Sequence, residues 1–196
     1  MARRCFFSFH YNRDVWRSQQ VKNAWVTQER EAAGFFNASA FETAKKSESA
    51  LKSFLNGEMD GSSVVCALIG YETFTRPWVR YELVRGFQQG KGLLGVRIHS
   101  LQNQEKKTDF MGSNPFDYLR YEWNKQTGVI TFQELTNGIW TTFSKLPTMK
   151  YSELPYTLYS TTSTFANFTK TYDYVLGNGY KNIGQWIEDA AKAVGR

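Results

Sequence analysis

Three apolar runs stand out in the first hundred residues: Cys5 to His10 (CFFSFH), Ser63 to Gly70 (SVVCALIG) and Gly92 to His99 (GLLGVRIH). Each is continuous rather than alternating, as expected of a strand buried on both faces of a parallel sheet. The second is β-branched at its start and closed by glycine, and the first is predicted to be the central strand. Ala33-Gly34-Phe35-Phe36 reads as another short strand. Between these runs the spacing turns helical. Asp14 to Glu31 sets Val15, Ala24, Trp25 and Val26 among charges, and Ser47 to Leu55 places Ala50, Leu51, Phe54 and Leu55 three and four apart. Gly57, Asp60 and Gly61 are predicted to end that second helix. A third begins at Pro77, whose missing N–H costs nothing in a first turn, and runs to about Gln88. Strands alternating with helices predict an open parallel sheet flanked by helices.

Beyond residue 100 the pattern changes. Asn103 to Thr108 is a polar loop, Gly128 to Leu135 (GVITFQEL) alternates like an exposed strand, and Asn137-Gly138 is a hairpin turn before Ile139-Trp140. A small antiparallel addition is expected there. Asn182 to Val194 carries Ile183, Trp186, Ile187, Ala190 and Val194 at helical spacing, which predicts a terminal helix packed back on the sheet. The 196 residues fit one domain, with a core over about 1–100 and an extension over about 101–196.

Composition narrows the function classes. No apolar run reaches the roughly 20 residues of a membrane span, and the start, MARRCFFSFHY, is too short in apolar residues for a leader, so a cytoplasmic protein is expected. Cys5 and Cys66 sit in apolar runs as small hydrophobes, and two histidines without a Cys-x-x-Cys pair supply no local metal motif. The net charge of +6 comes from scattered basic residues, among them the pairs Arg3-Arg4, Lys45-Lys46 and Lys106-Lys107. It suits an anionic small molecule or plain solubility better than nucleic acid, because no binding motif surrounds it.

Ligands of open parallel sheets bind at the carboxyl ends of the strands. Three segments therefore matter: His10, Tyr11 and Asn12 after the first strand; Asn37, Ser39 and Glu42 after the second; and Trp78 with Glu82 on the helix after Gly70. Trp78 and Glu82 are four apart, so they share one helix face, and a partly desolvated glutamate is predicted. Asn114 to Tyr118 reads as a turn with aromatic anchors, and His99 is given no role.

The run Trp78-Val79-Arg80-Tyr81-Glu82-Leu83 resembles the TIR-domain pattern of tryptophan, then glutamate four residues on, followed by leucine. Arg4 to Tyr11, Ala33 to Ser39, Leu68 to Gly70, Thr73 to Leu83, Asn114 to Tyr118, Tyr172 to Val175 and Gly179-Tyr180 are similar to the TIR-like ThsB proteins of the Thoeris antiphage system, which extends the likeness over nearly the whole chain. The resemblance implies a TIR-like (flavodoxin-like) fold and cleavage of NAD, as substrate and not as cofactor, with Glu82 catalytic. It also implies conversion of NAD to a cyclic ADP-ribose isomer that activates a ThsA-type effector, and sites completed by homo-oligomer formation. Ser8, Phe9, His10, Asn37, Ser39 and Trp78 are the expected substrate-binding residues. One departure is chemical: where the family often has an acidic residue, Asn37 brings hydrogen bonds without charge.

A second carboxylate is not required by the chemistry. Ordinary glycosides need a general acid because an alkoxide leaves poorly. Nicotinamide leaves a cationic pyridinium as a neutral molecule, so one carboxylate near the ribose suffices to stabilise oxocarbenium-like charge. What traps that cation, whether water, a hydroxyl of the other ribose or an adenine nitrogen, is set by pose rather than by a motif. The alternatives are a non-catalytic TIR-type interaction module, a simple NAD hydrolase making ADP-ribose, and a flavodoxin or receiver domain. The last lacks support: His10-Tyr11-Asn12-Arg13 has neither a glycine-bearing phosphate loop nor an acidic cluster.

Overall fold

The computed structural model describes residues 3–26, 32–33 and 43–196. The first strand, β1 (Cys5–Phe9), leads directly into α1 (Tyr11–Val26), which starts three residues ahead of the expected Asp14. A two-residue strand β2 (Ala32–Ala33) covers the start of the expected second strand, and Gly34 to Phe36 lie outside the described residues. Helix α2 (Glu48–Met59) is capped by Ser47, whose hydroxyl accepts from the Ala50 amide at 3.1 Å. It runs past Gly57 to Asp60, because Leu51, Leu55 and Met59 form a buried stripe at spacings of four that rewards another turn. Then come β3 (Val64–Ile69), α3 (Pro77–Gln88) and β4 (Gly92–Arg97), close to their expected bounds.

The remaining half splits between two sheets. An antiparallel sheet is built from β5 (Leu119–Asn124), β6 (Val129–Thr136), β7 (Ile139–Thr142), β8 (Met149–Lys150) and β9 (Thr162–Thr164), in the order β7-β6-β5-β9 with β8 also on β6. Asn137 and Gly138 both take positive φ, 51° and 78°, as the tight β6–β7 hairpin requires. Strand β10 (Lys170–Asp173) then returns to the parallel sheet beside β4, and α4 (Gly179–Lys192) packs beneath it.

The parallel sheet therefore has the order β10-β4-β3-β1-β2, and its middle strand is β3, not β1. The cause is β10, whose sequence KTYD is short and mostly polar and extends the sheet on the β4 side. Alternation along the strands divides the core into two layers. Cys5, Phe7, Cys66, Leu68, Leu94 and Val96 meet Val21 and Trp25 of α1 and Ile183, Trp186 and Ile187 of α4. Phe6, Val65, Ala67 and Ile69 meet α2 and α3 on the other side.

Helix α3 is covered twice. Its inner face lies on β3 and β4, where Gly86 allows close approach: a Cβ there would stand 2.8 Å from Val65 Cγ2 and 3.0 Å from Leu93 Cδ2. Its outer face meets the antiparallel sheet, with the Phe87 ring 5.6 Å from Tyr121, 5.6 Å from Phe132 and 5.1 Å from Phe165. Arg80 reaches Glu134 of β6 at 2.7 Å. Asn114 caps the short turn Pro115–Tyr118 and donates to Thr171 of β10 at 3.3 Å, so this segment pins the two sheets together.

Gly86→Val should wedge α3 off the sheet. Overpacking against the stiff Val65 is expected to cost about 2 kcal/mol or more, lowering the thermal midpoint by roughly 4–8 °C. A midpoint within a degree of the parent would show that the helix has more room than the contacts indicate.

Candidate active site

Residue alternation decides which β1 side chains reach α3. Phe6 and Ser8 point to the α3 face, and Phe7 to the α1 and α4 face. Ser8 is 1% exposed, and its hydroxyl donates to Glu82 Oε2. Glu82, second-turn on α3, is itself only 6% exposed. Burial pushes its carboxyl up to about 8, with the Ser8 hydrogen bond acting in the opposite direction. The expected desolvated glutamate is present, and more buried than its helix position alone implied.

Glu82 forms the floor of a cleft of about 200 Å³ at the carboxyl ends of β1 and β3. Phe9, His10, Tyr11 and Asn12 line one side; Arg76, Pro77, Trp78 and Val79, from the start of α3, line the other. The loop after Phe9 and Glu82 thus meet in one site. The Phe9 and Tyr11 rings stack at 6.1 Å, giving that wall a flat aromatic surface. Trp78 both lines the cleft and packs: its ring sits edge-on to Tyr81 at 5.5 Å, with the Lys145 ammonium 4.6 Å from its centroid.

His10 is held neutral. Burial lowers its pKa first, and the neighbouring Arg76 charge lowers it further. Its buried Nδ1 is 3.9 Å from Glu72 and has no hydrogen-bond partner. The structure brings Ser8, Phe9, His10, Trp78 and Glu82 together, with the Ser8 hydroxyl engaged by Glu82 rather than lining the cleft. Asn37 and Ser39 lie outside the described residues.

Sequence reasoning did not single out Lys45 and Arg76 as part of the site, though both line the cleft. The available signal for Arg76 was its place immediately before the helix-starting Pro77. Nor did it find the buried support. Asp14 is fully buried and bound to Arg17 at 3.2 Å, its carboxyl raised to about 6 by burial against the opposing pull of Arg17. It fits because residue 70 is glycine: a Cβ there would lie 2.1 Å from Asp14 Oδ2. Arg17 also donates to the carbonyls of Leu101 and Lys107, tying the loop after β4 to α1 beside the cleft.

Two comparisons bear on this geometry. Residues 6–103, which contain β1 from its second residue, α3 and the whole described cleft, match the family described as Thoeris protein ThsB, TIR-like domain. Across 191 residues, covering 95% of this chain and 100% of the relative, the chain is 36% identical to a Bacillus cereus (strain MSX-D12) protein named as a cyclic ADP-D-ribose synthase, ThsB1.

The Glu82 carboxyl should leave a mark on stability. Its folded pKa of about 8 exceeds the ordinary 4.5, so between those values the folded state holds a proton that the unfolded state releases. Its contribution therefore falls as pH rises through that window, and above it the buried charge is a constant penalty. Glu82→Gln carries no such charge. The difference in melting temperature, variant minus parent, is expected to grow from pH 5 to pH 9 by scanning fluorimetry. A difference that stays level across that range contradicts the buried, protonated assignment.

Proposed function

Because this chain belongs to the TIR-like ThsB proteins of Thoeris, we propose that it cleaves NAD at the nicotinamide–ribose bond and closes the ADP-ribosyl unit into a cyclic ADP-ribose isomer. The observation that carries this reading is a single buried carboxyl, Glu82, at the floor of a cleft walled by rings at the carboxyl ends of the parallel strands. Nicotinamide departs with the electron pair of the C1′–N bond, leaving positive charge on the ribose. Entry of the cationic pyridinium favours the ionised form of Glu82, and the carboxylate then faces the developing oxocarbenium charge in a site from which water is largely excluded. The neutral His10 imidazole and the Phe9 and Trp78 faces receive the ribose and the leaving ring. Ser8 is a positioning residue: its hydrogen bond fixes the Glu82 rotamer and stabilises the charged form. The new bond to C1′ comes from a nucleophile of the same molecule, which a pose that holds it close to C1′ favours over water.

The same proposal makes NAD the substrate with no resident cofactor, and the product a diffusible signal to a ThsA-type effector in antiphage defence. Assembly of copies on activation, expected from the family, completes it. No described helix is long and apolar enough to cross a membrane, and Cys5 and Cys66 are buried free thiols. Both support the cytoplasm, where NAD is available, as the place of the reaction. A purely scaffolding module is disfavoured, since it has no use for a carboxyl held against its own solvation.

Loss of the charge should be decisive. Glu82→Gln keeps size and hydrogen bonding and is expected to cost on the order of 3 kcal/mol in the barrier, roughly a hundredfold or more in nicotinamide release from NAD. Product mass spectrometry on protein activated with phage-infected lysate checks both the rate and the cyclic product. Unchanged release in the variant would remove Glu82 from the mechanism.

Ser8→Ala tests the support. Losing the hydrogen bond that favours the carboxylate should move the acid limb of the kcat/KM profile to higher pH, so that activity falls several-fold at pH 7 and recovers toward pH 9. A uniform fall at all pH values would make Ser8 a packing residue only.

A further inference from the structure

Arg76 stands at the N-cap of α3 on the wall of the cleft, six residues before Glu82, about 9 Å along the helix. Its guanidinium is held from behind. Nε donates to Thr75 Oγ1 at 3.0 Å and Nη2 to Glu72 Oε2 at 3.3 Å. Glu72 is itself bound by Arg13 at 3.3 Å, and Arg13 forks onto Asp109 at 2.9 and 3.1 Å. The arginine is thus braced through the start of α1 and the loops that follow β3 and β4. Those bonds use two of its five N–H donors and leave the rest for a second anion.

The surroundings favour one. Lys45 lines the same cleft, and among the described lining residues Glu82 is the lone carboxyl. Glu82 is protonated at neutral pH and His10 is neutral, so neither opposes an incoming anion. The first turn of α3 has no side-chain cap, which leaves its amides directed to the same end of the helix. Cations therefore stand at the rim and the reactive carboxyl at the floor, one nucleotide's reach apart.

We propose that Arg76 binds the phosphate next to the nicotinamide ribose and so makes the cleft select phosphorylated nicotinamide ribosides over the bare nucleoside. The proposal rests on the NAD reading above. Glu72 acts through Arg76 as a positioning residue.

The test is a substrate series with a separate binding arm. For Arg76→Gln, kcat/KM for NAD and for nicotinamide mononucleotide is expected to fall roughly tenfold to a hundredfold, while the poorer reaction with nicotinamide riboside changes less than twofold. Glu72→Gln should give a smaller fall with the same selectivity. Inorganic pyrophosphate, measured by calorimetry, should bind the parent and Glu82→Gln alike and bind Arg76→Gln at least tenfold more weakly. An equal loss on all three substrates, or pyrophosphate affinity unaffected by Arg76→Gln, overturns the proposal. Pyrophosphate binding through Arg76 in a protein that releases no nicotinamide from NAD after activation would uphold the anion site and overturn the NAD reading instead.

Discussion

Helix α3 is pressed from two sides. Val65 and Leu93 press on it at Gly86 from the parallel sheet, and a cluster of rings around Phe87 presses from the antiparallel sheet. A helix packed against a sheet ordinarily keeps a solvated outer face, and a glutamate on it keeps an ordinary pKa. Here eight of the helix's twelve residues are buried, Glu82 among them. The second sheet contributes no residue to the described cleft wall; it presses α3 onto the parallel sheet, where Ser8 of β1 meets Glu82. On that inner face the carboxyl is strongly desolvated and held by a single hydroxyl, that of Ser8.

The cost of that arrangement is carried by the rest of the structure. A buried carboxyl raised to about 8 is unfavourable to ionise. A rigid frame is needed to keep it from turning out to water. The frame comprises the Asp14–Arg17 pair, the Arg17 bonds to the loop after β4, and the Asn114–Thr171 bond between the sheets. Charge is separated along α3: cationic and braced at its N-terminus, acidic and dry one and a half turns on. A substrate that is anionic in the middle and cationic at one end would match this gradient, and the neutral His10 on the cleft wall adds no charge to it.

Much of this was legible along the chain, and for identifiable reasons. Strands β1, β3 and β4 are buried on both faces, so each reads as a continuous apolar run. Pro77, Ser47 and Asn137-Gly138 act through local backbone chemistry that needs no tertiary partner. Trp78 and Glu82 share a face by helix geometry alone, and their spacing carried the family likeness that residues 6–103 now bear out.

What the chain could not show was decided by contacts between distant segments. Strand β10 is four mostly polar residues that become a strand only because β4 offers an open edge, and its addition moved the centre of the sheet to β3. Asp14, read along the chain only as a helix start, is buried beside Gly70 and Arg17. Ser8 and Glu82 are 74 residues apart, and Arg76 gains its meaning from Glu72, Arg13 and Asp109 around it. The sequence by itself determined the first strands and helices, their order and the shared helix face of Trp78 and Glu82, because these follow from local periodicity and backbone preference. The tertiary structure decided the strand that sits in the middle, the depth of Glu82 and the partners that tune it, because burial and electrostatics depend on what packs against a residue and not on its neighbours in the chain.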